Sequence, residues 1–304
     1  PYTLDATGAK IPLTYANAAD FEKIAKEDYA TKYSSYMHDW QDEAFNTAIT
    51  HSNRVAVSGG NQQTKYNISM AMVQQDGTLM KTGLDKYNFR INIDQKITKK
   101  LRLTTMTSYN RTLRHGLQSN EGSRNSILRD VLQYQPVNPV KYGQMDIDEV
   151  PEDVANDTGN LTYNPITNIK NTYREVFYDQ LTINAALYYD IIKPLRFMSR
   201  GGYTLYNVRN DQYNNSKSRY GHPVLSTDGI NASRAITERD SWFNENTLTF
   251  NKKSGLSRYT VLGGFTMQGY SGLYTYNKYV KFPTDILGIN DLSQGTPQPV
   301  ENRS

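Results

Sequence analysis

The chain has 304 residues, and its 34 lysines and arginines against 30 aspartates and glutamates leave a formal charge of only +4, too even a balance for a nucleic-acid binder. It contains no cysteine, which excludes disulfide scaffolds, thiol catalysis and Cys-ligated metal centres. Counted with glycine and without its 24 tyrosines, the apolar share is roughly 36%, where globular domains average about 45–50%, yet 12% aromatic residues are too many for a disordered chain.

In chain order, the first element expected is a short amphipathic helix over 18–29, with Asp20 as its cap and Phe21, Ile24 and Ala25 on one face. A period of two then takes over. Tyr66, Ile68, Met70 and Met72 alternate with polar residues, as do Tyr87, Phe89, Ile91 and Ile93 against Asn88, Arg90, Asn92 and Asp94, which predicts two half-buried strands. The Asp76-Gly77 pair between them is expected to supply the positive φ of a tight hairpin connection. Further strands are expected near 52–60, 101–111, 174–190, 195–209, 235–251 and 258–270, although 258–270 alternates loosely because Leu262 breaks its apolar face.

The connections alternate in length. Those at 61–63, 95–100, 191–194 and 252–257 are short, and those at 74–84, 112–173, 210–234 and from 271 onward are longer. Transmembrane barrels sort short turns to one side and long loops to the other, with an apolar face to lipid and a polar face to the lumen. That arrangement also explains the apolar deficit and the tyrosines, whose polar-tipped rings suit membrane interfaces. No stretch approaches the roughly 18 apolar residues of a membrane helix, and the run 185–189 stops at Asp190. The first residue is Pro1, no signal-like segment opens the chain, and residues 290–304 have the composition of a mid-loop, so part of a longer polypeptide is expected.

Five strings then stand in order: Asp39-Trp40-Gln41-Asp42-Glu43-Ala44-Phe45, Val57-Ser58-Gly59-Gly60, Lys65-Tyr66-Asn67-Ile68-Ser69, Gln75-Asp76-Gly77, and residues 87–94. Their order and spacing resemble the start of the barrel in SusC/RagA-type TonB-linked outer-membrane transporters. Beyond residue 94 the likeness is one of style, in long strands, short basic turns and Tyr- and Asn-rich loops. The resemblance implies an all-β fold, an antiparallel transmembrane β-barrel of about 22 strands occluded by a plug, of which this chain supplies about eight. Residues 1–38 would then connect plug to barrel and 39–304 form the N-terminal part of the barrel. It further implies the outer membrane of a Gram-negative bacterium, a SusD-like surface lipoprotein as lid, energy through TonB, and a glycan or peptide cargo too large for porins. The competing readings are a non-transporting surface barrel or adhesin, and a soluble Tyr-rich sandwich or solenoid.

Arg90, Asn92 and Asp94 form a polar face near the short-turn side, expected to hydrogen-bond plug backbone. Trp242, Tyr134, Tyr142 and Tyr163 lie toward the long loops and are candidates for contact with cargo or lid, since flat rings stack on apolar C–H surface. The acidic run 146–157 has Pro151 where a calcium-binding loop needs glycine, so it reads as a solvated loop. His38, His51, His115 and His222 lie far apart without metal-site spacing, and no serine elbow or phosphate-cradling glycine loop is present. No catalytic residue, metal or cofactor is therefore expected.

Overall fold

The computed structural model describes residues 2–4, 10–12, 39–117, 127–134 and 163–303. The helix expected over 18–29, the acidic run 146–157 and Tyr142 lie outside them. Short strands β1 (Tyr2–Leu4) and β2 (Lys10–Pro12) pair with each other. The barrel-type strands are β3 (Thr50–Gly60), β4 (Thr64–Asp76), β5 (Gly83–Lys96), β6 (Leu101–His115), β7 (Thr172–Ile192), β8 (Leu195–Asn214), β9 (Asn231–Ser254) and β10 (Ser257–Val280). They form one antiparallel meander in sequence order, with short strands β11 (Thr296–Pro297) and β12 (Glu301–Arg303) added on β10.

Because every neighbour in the meander is antiparallel, the turns after β3, β5, β7 and β9 all fall at one end, as the connection lengths predict. Each short turn has its own chemistry. Asn61 Oδ1 accepts the N–H groups of Gln63 and Thr64, and Thr98 Oγ1 accepts those of Lys100 and Leu101. Gly255, at φ +60, opens the two-residue turn to β10.

The Asp76-Gly77 expectation fails in its reason. The left-handed residue of that connection is Lys81, at φ 56, while Gly77 has negative φ. Glycine is required there by space, since a Cβ would meet Thr82 Oγ1 at 1.8 Å. The sheet is open in this chain, as expected. Among the described residues β3 has one unpaired edge, and β10 is unpaired on its outer side over 257–273, whereas β11 and β12 cover it above that point.

By its packing the chain divides into two compact units, residues 1–45 with 119–168, and residues 46–118 with 169–304. Within the first unit the helix Trp40–Ala44 packs with the helix Ile127–Gln133, and Trp40, Ala44, Ile127 and Val131 are buried. Asp39 caps the former helix, its Oδ1 accepting from the N–H groups of Gln41 and Asp42. No helix of the described residues is long and apolar enough to cross a membrane.

Candidate lumen face and its rim

Register separates the sheet into two faces, since side chains alternate along each strand and cross-strand partners share a side. Ile91 is aligned with Ile68 on β4 and Thr107 on β6, and the row continues through Ile183, Tyr203 and Trp242. This face carries an apolar band. On β7 it runs from Tyr189 to Leu181 and ends at Asp179, and on β9 it runs from Phe250 to Trp242, interrupted by Asn246 and Asn244, and ends at Asp240. Nine residues at about 3.3 Å rise, tilted as in barrels, match the roughly 25 Å apolar height of an outer-membrane wall.

The opposite face is the concave one. A concavity of ≈ 620 Å³ lies on it, lined among others by Asn92, Asp94, Met106, Asn184, Arg200 and Phe243. Low on this wall the carboxylates are each matched to an arginine. Arg102 Nε and Nη2 donate to the two oxygens of Asp94 at 2.7 and 2.5 Å, and Arg196 holds Asp190 in the same forked way at 2.6 and 3.2 Å. Arg200 donates to Glu245 at 2.6 Å and lies 5.5 Å from the centre of the Phe243 ring.

The structure thus sets Arg90, Asn92 and Asp94 on the concave face together, but in different states. Asp94 is occupied by Arg102, while Arg90 and Asn92 have no hydrogen-bond or ion-pair partner among the described residues. Trp242 stands on the convex face, 44% exposed, one outward step below Asp240 and aligned with Tyr203. In a closed barrel that is the position of an interfacial girdle, with the ring toward lipid headgroups and away from the lumen. Tyr134 meets Trp40 edge-on at 5.1 Å inside the first compact unit, and burial, with Tyr134 close by, pushes the Tyr163 hydroxyl above its ordinary range. Both tyrosines belong to the first compact unit, and Trp242 to the second.

Sequence reasoning missed the rim beyond the strands' long-loop end. Tyr213, Ala232 and Phe282 form a buried cluster there, with Tyr213 and Phe282 edge-on at 5.9 Å. Asp285 accepts hydrogen bonds from the Tyr213 hydroxyl and from the N–H and hydroxyl of Ser216, tying the segment after β10 to the β8–β9 connection. Asp211, 3% exposed, is forked by Arg234 and touched by Arg209. The only signal for this in the sequence is a density of Tyr, Asn and Asp, which does not specify partners.

An open amphipathic sheet with short turns at one end, an apolar convex band and a polar concave wall defines a segment of an outer-membrane β-barrel. No protein-family model matches the chain. Its sequence is 24% identical over 309 residues to TonB-dependent receptor P3 of Formosa agariphila, covering 98% of this chain and 29% of that protein. To TonB-dependent receptor P26 of the same organism it is 25% identical over 290 residues, covering 94% and 28%. Among solved structures it resembles the RagAB peptide transporter, with TM-score 0.67, 22% identity and 88% of this chain against 30% of that one. The RagAB peptide importer in its open-open state gives TM-score 0.70, 21% identity, 92% and 32%. The chain is thus similar over nearly its whole length to part of TonB-dependent receptors and shares the barrel fold of the RagAB structures, and it spans under a third of the length of the relatives it matches.

Proposed function

We propose that this segment forms the first part of the wall of a TonB-dependent importer that carries an oligosaccharide or peptide too large for porins across the outer membrane. The observation that carries the reading is the near end-to-end likeness to TonB-dependent receptors, joined to a sheet whose concave wall is polar and convex wall apolar. A barrel of that class has a lumen wide enough to leak, so it needs a plug. Arg90 and Asn92, which are exposed or half-buried and unpartnered, are the positions offered to plug backbone, while Asp94 holds Arg102 in place. A SusD-like lipoprotein would close over the long-connection end, and the likeness to RagAB, a peptide transporter, supports a peptide as one cargo class. TonB would act through the plug.

The test is uptake by whole cells carrying the complete protein, with and without TonB. Import abolished by loss of TonB, and raised sensitivity to a large hydrophilic antibiotic in an Arg90→Ala, Asn92→Ala variant at normal surface expression, are expected. Uptake indifferent to TonB would favour the non-transporting surface barrel instead.

A further inference from the structure

Along the upper parts of the strands, beyond the outer edge of the apolar band, charged residues of opposite sign stand next to one another in sequence: Asp85-Lys86 on β5, Arg174-Glu175 on β7, and Glu238-Arg239-Asp240 on β9. Strand alternation sends neighbours to opposite faces. In every one of these places the register gives the cation to the concave face and the carboxylate to the convex face. Lys86 is aligned with Thr112 and shares the parity of Arg90, Arg114 lies one step higher on β6 against Val176, and Arg239 is aligned with Tyr206, Gln180 and Asn110 in turn. The chain as a whole is almost neutral, so the concave mouth is basic by sorting and not by excess.

The carboxylates that do occupy the concave face of β3–β10 are Asp94, Asp190 and Glu245, low on the wall and each already held by an arginine. Higher up, Lys86, Arg90, Arg114 and Arg239 are exposed and none has a carboxylate partner among the described residues. Arg114 lies 5.6 Å from the centre of the Tyr178 ring, which keeps its guanidinium against an aromatic surface facing the same side. On the convex side, by contrast, Arg111 is drawn to Asp179, and Arg209 and Arg234 to Asp211. Lys278, high on the concave side of β10, is held by Asp228, whereas Lys86, Arg114 and Arg239 have no carboxylate partner among the described residues.

We propose, on the reading that this wall belongs to an importer, that the mouth formed by Lys86, Arg114 and Arg239 selects an anionic oligomer, a short chain carrying carboxylate or sulfate groups. Cations without carboxylate partners, gathered on one wall of a lumen, attract an entering anion and raise its local concentration. Forked guanidiniums suit planar carboxylates and sulfates, and the neighbouring tyrosine faces suit the apolar surface between charged groups.

The experiment uses the complete protein, purified with its native partners in detergent, and titrates four probes of matched length: oligogalacturonate, a sulfated oligosaccharide, oligoglutamate and a neutral oligosaccharide. The expected result is binding of at least one anionic probe, weakened tenfold or more by the paired substitution Lys86→Gln with Arg114→Gln and again by Arg239→Gln, and weakened by raising salt from 50 to 300 mM. Lys252→Gln, at the short-turn end of the convex face, removes the same charge elsewhere and should leave that binding unchanged. Which anionic probes bind separates sugar from peptide and carboxylate from sulfate as the source of charge. A neutral probe bound as tightly as the anionic ones, or anionic binding untouched by the mouth substitutions, overturns the proposal. TonB-dependent uptake of a neutral cargo in the same cells would then leave import standing while removing anion selection.

Discussion

The indole of Trp242 covers the backbone of Gly269, its aligned neighbour on β10, so closely that a Cβ there would meet Nε1 at 2.8 Å. The same arrangement recurs where Tyr66 covers Gly59 and Phe243 covers Gly202. A ring laid over a strand glycine restores the packing that the missing side chain forfeits and pins the register of the two strands.

Gly269→Ala should therefore expel the indole and cost about 1–3 kcal/mol, as overpacking does. Gly263→Ala, at a convex position where a Cβ meets nothing within 4 Å, should be near neutral. Denaturant unfolding of refolded barrel in detergent measures both, and equal midpoints for the two variants would remove the close packing of Trp242 as a source of stability.

Facing can be tested at adjacent residues. Ile91→Arg places a guanidinium on the convex band and should cost about 2–4 kcal/mol near the bilayer midplane, whereas Asn92→Arg projects into the concave side and should cost far less. The amount of folded protein recovered from outer membranes reports the difference. Similar recovery of both variants would contradict the assigned faces.

How far these faces could be read from the sequence differs strand by strand. On β4 from Tyr66 to Met72 and on β5 from Tyr87 to Ile93 the convex positions are all apolar and the alternation is plain. On β9 the convex row includes Asn244 and Asn246, which hydrogen-bond to each other, while Phe243 lies on the concave side, so the parity of Trp242 was not legible and its outward placement emerged only from register. On β10, Gly263 and Gly269 hold convex positions and Leu262 a concave one, which accounts for the weak pattern there. Strands end later than expected at their long-loop ends, at Asp76, His115 and Asn214 for example, because beyond the apolar band both sides are wet and alternation no longer marks the backbone pairing. The basic mouth escaped notice for a related reason, since Glu238-Arg239-Asp240 reads as mixed charge until the two faces are separated.

Ion pairs should differ in weight according to burial. Asp211→Asn leaves two arginines around a buried site and should cost about 1–3 kcal/mol, discounted from a fully buried pair because Arg209 and Arg234 keep partial exposure. Asp190→Asn, in a pair open to solvent on both sides, should cost about 0–1 kcal/mol. Thermal unfolding of the two variants in one detergent provides the comparison, and a larger loss for Asp190 would overturn the ranking.

At the rim, Asp285→Ala should loosen residues 284–295 against Tyr213 and Ser216 and raise amide exchange there, while the bonds from Lys281 N–H to Asp228 O and from Phe282 N–H to Ile230 O keep the start of the segment in place. Acid should loosen part of the same segment. Hydrogen bonds from the side chains of Ser293 and Gln294 hold the Asp291 carboxyl below its ordinary range. A depressed carboxylate contributes its full stabilisation above the unfolded value of about 3.9, and loses it as pH falls through the lower folded value. Protection around 291–295, taken relative to the intrinsic exchange rate at each pH, should thus stay constant from pH 7 to 5 and fall only in stronger acid. A loss of protection already complete at pH 5 would rule out that carboxylate as the cause.

The meander makes every long strand pair a neighbour in sequence, and the short turns reinforce this, with Asp190 N–H donating to Lys100 O and Asn251 N–H to Pro194 O. The costly exception is β6 with β7, which the chain reaches only after residues 116–171. Closing that stretch costs about 2–3 kcal/mol more entropy than closing a two-residue turn. Assembly of this wall therefore has one natural pause: β3–β6 can zip as successive hairpins, and β7–β10 as another set, before the two halves meet along the ladder from Leu101 to His115.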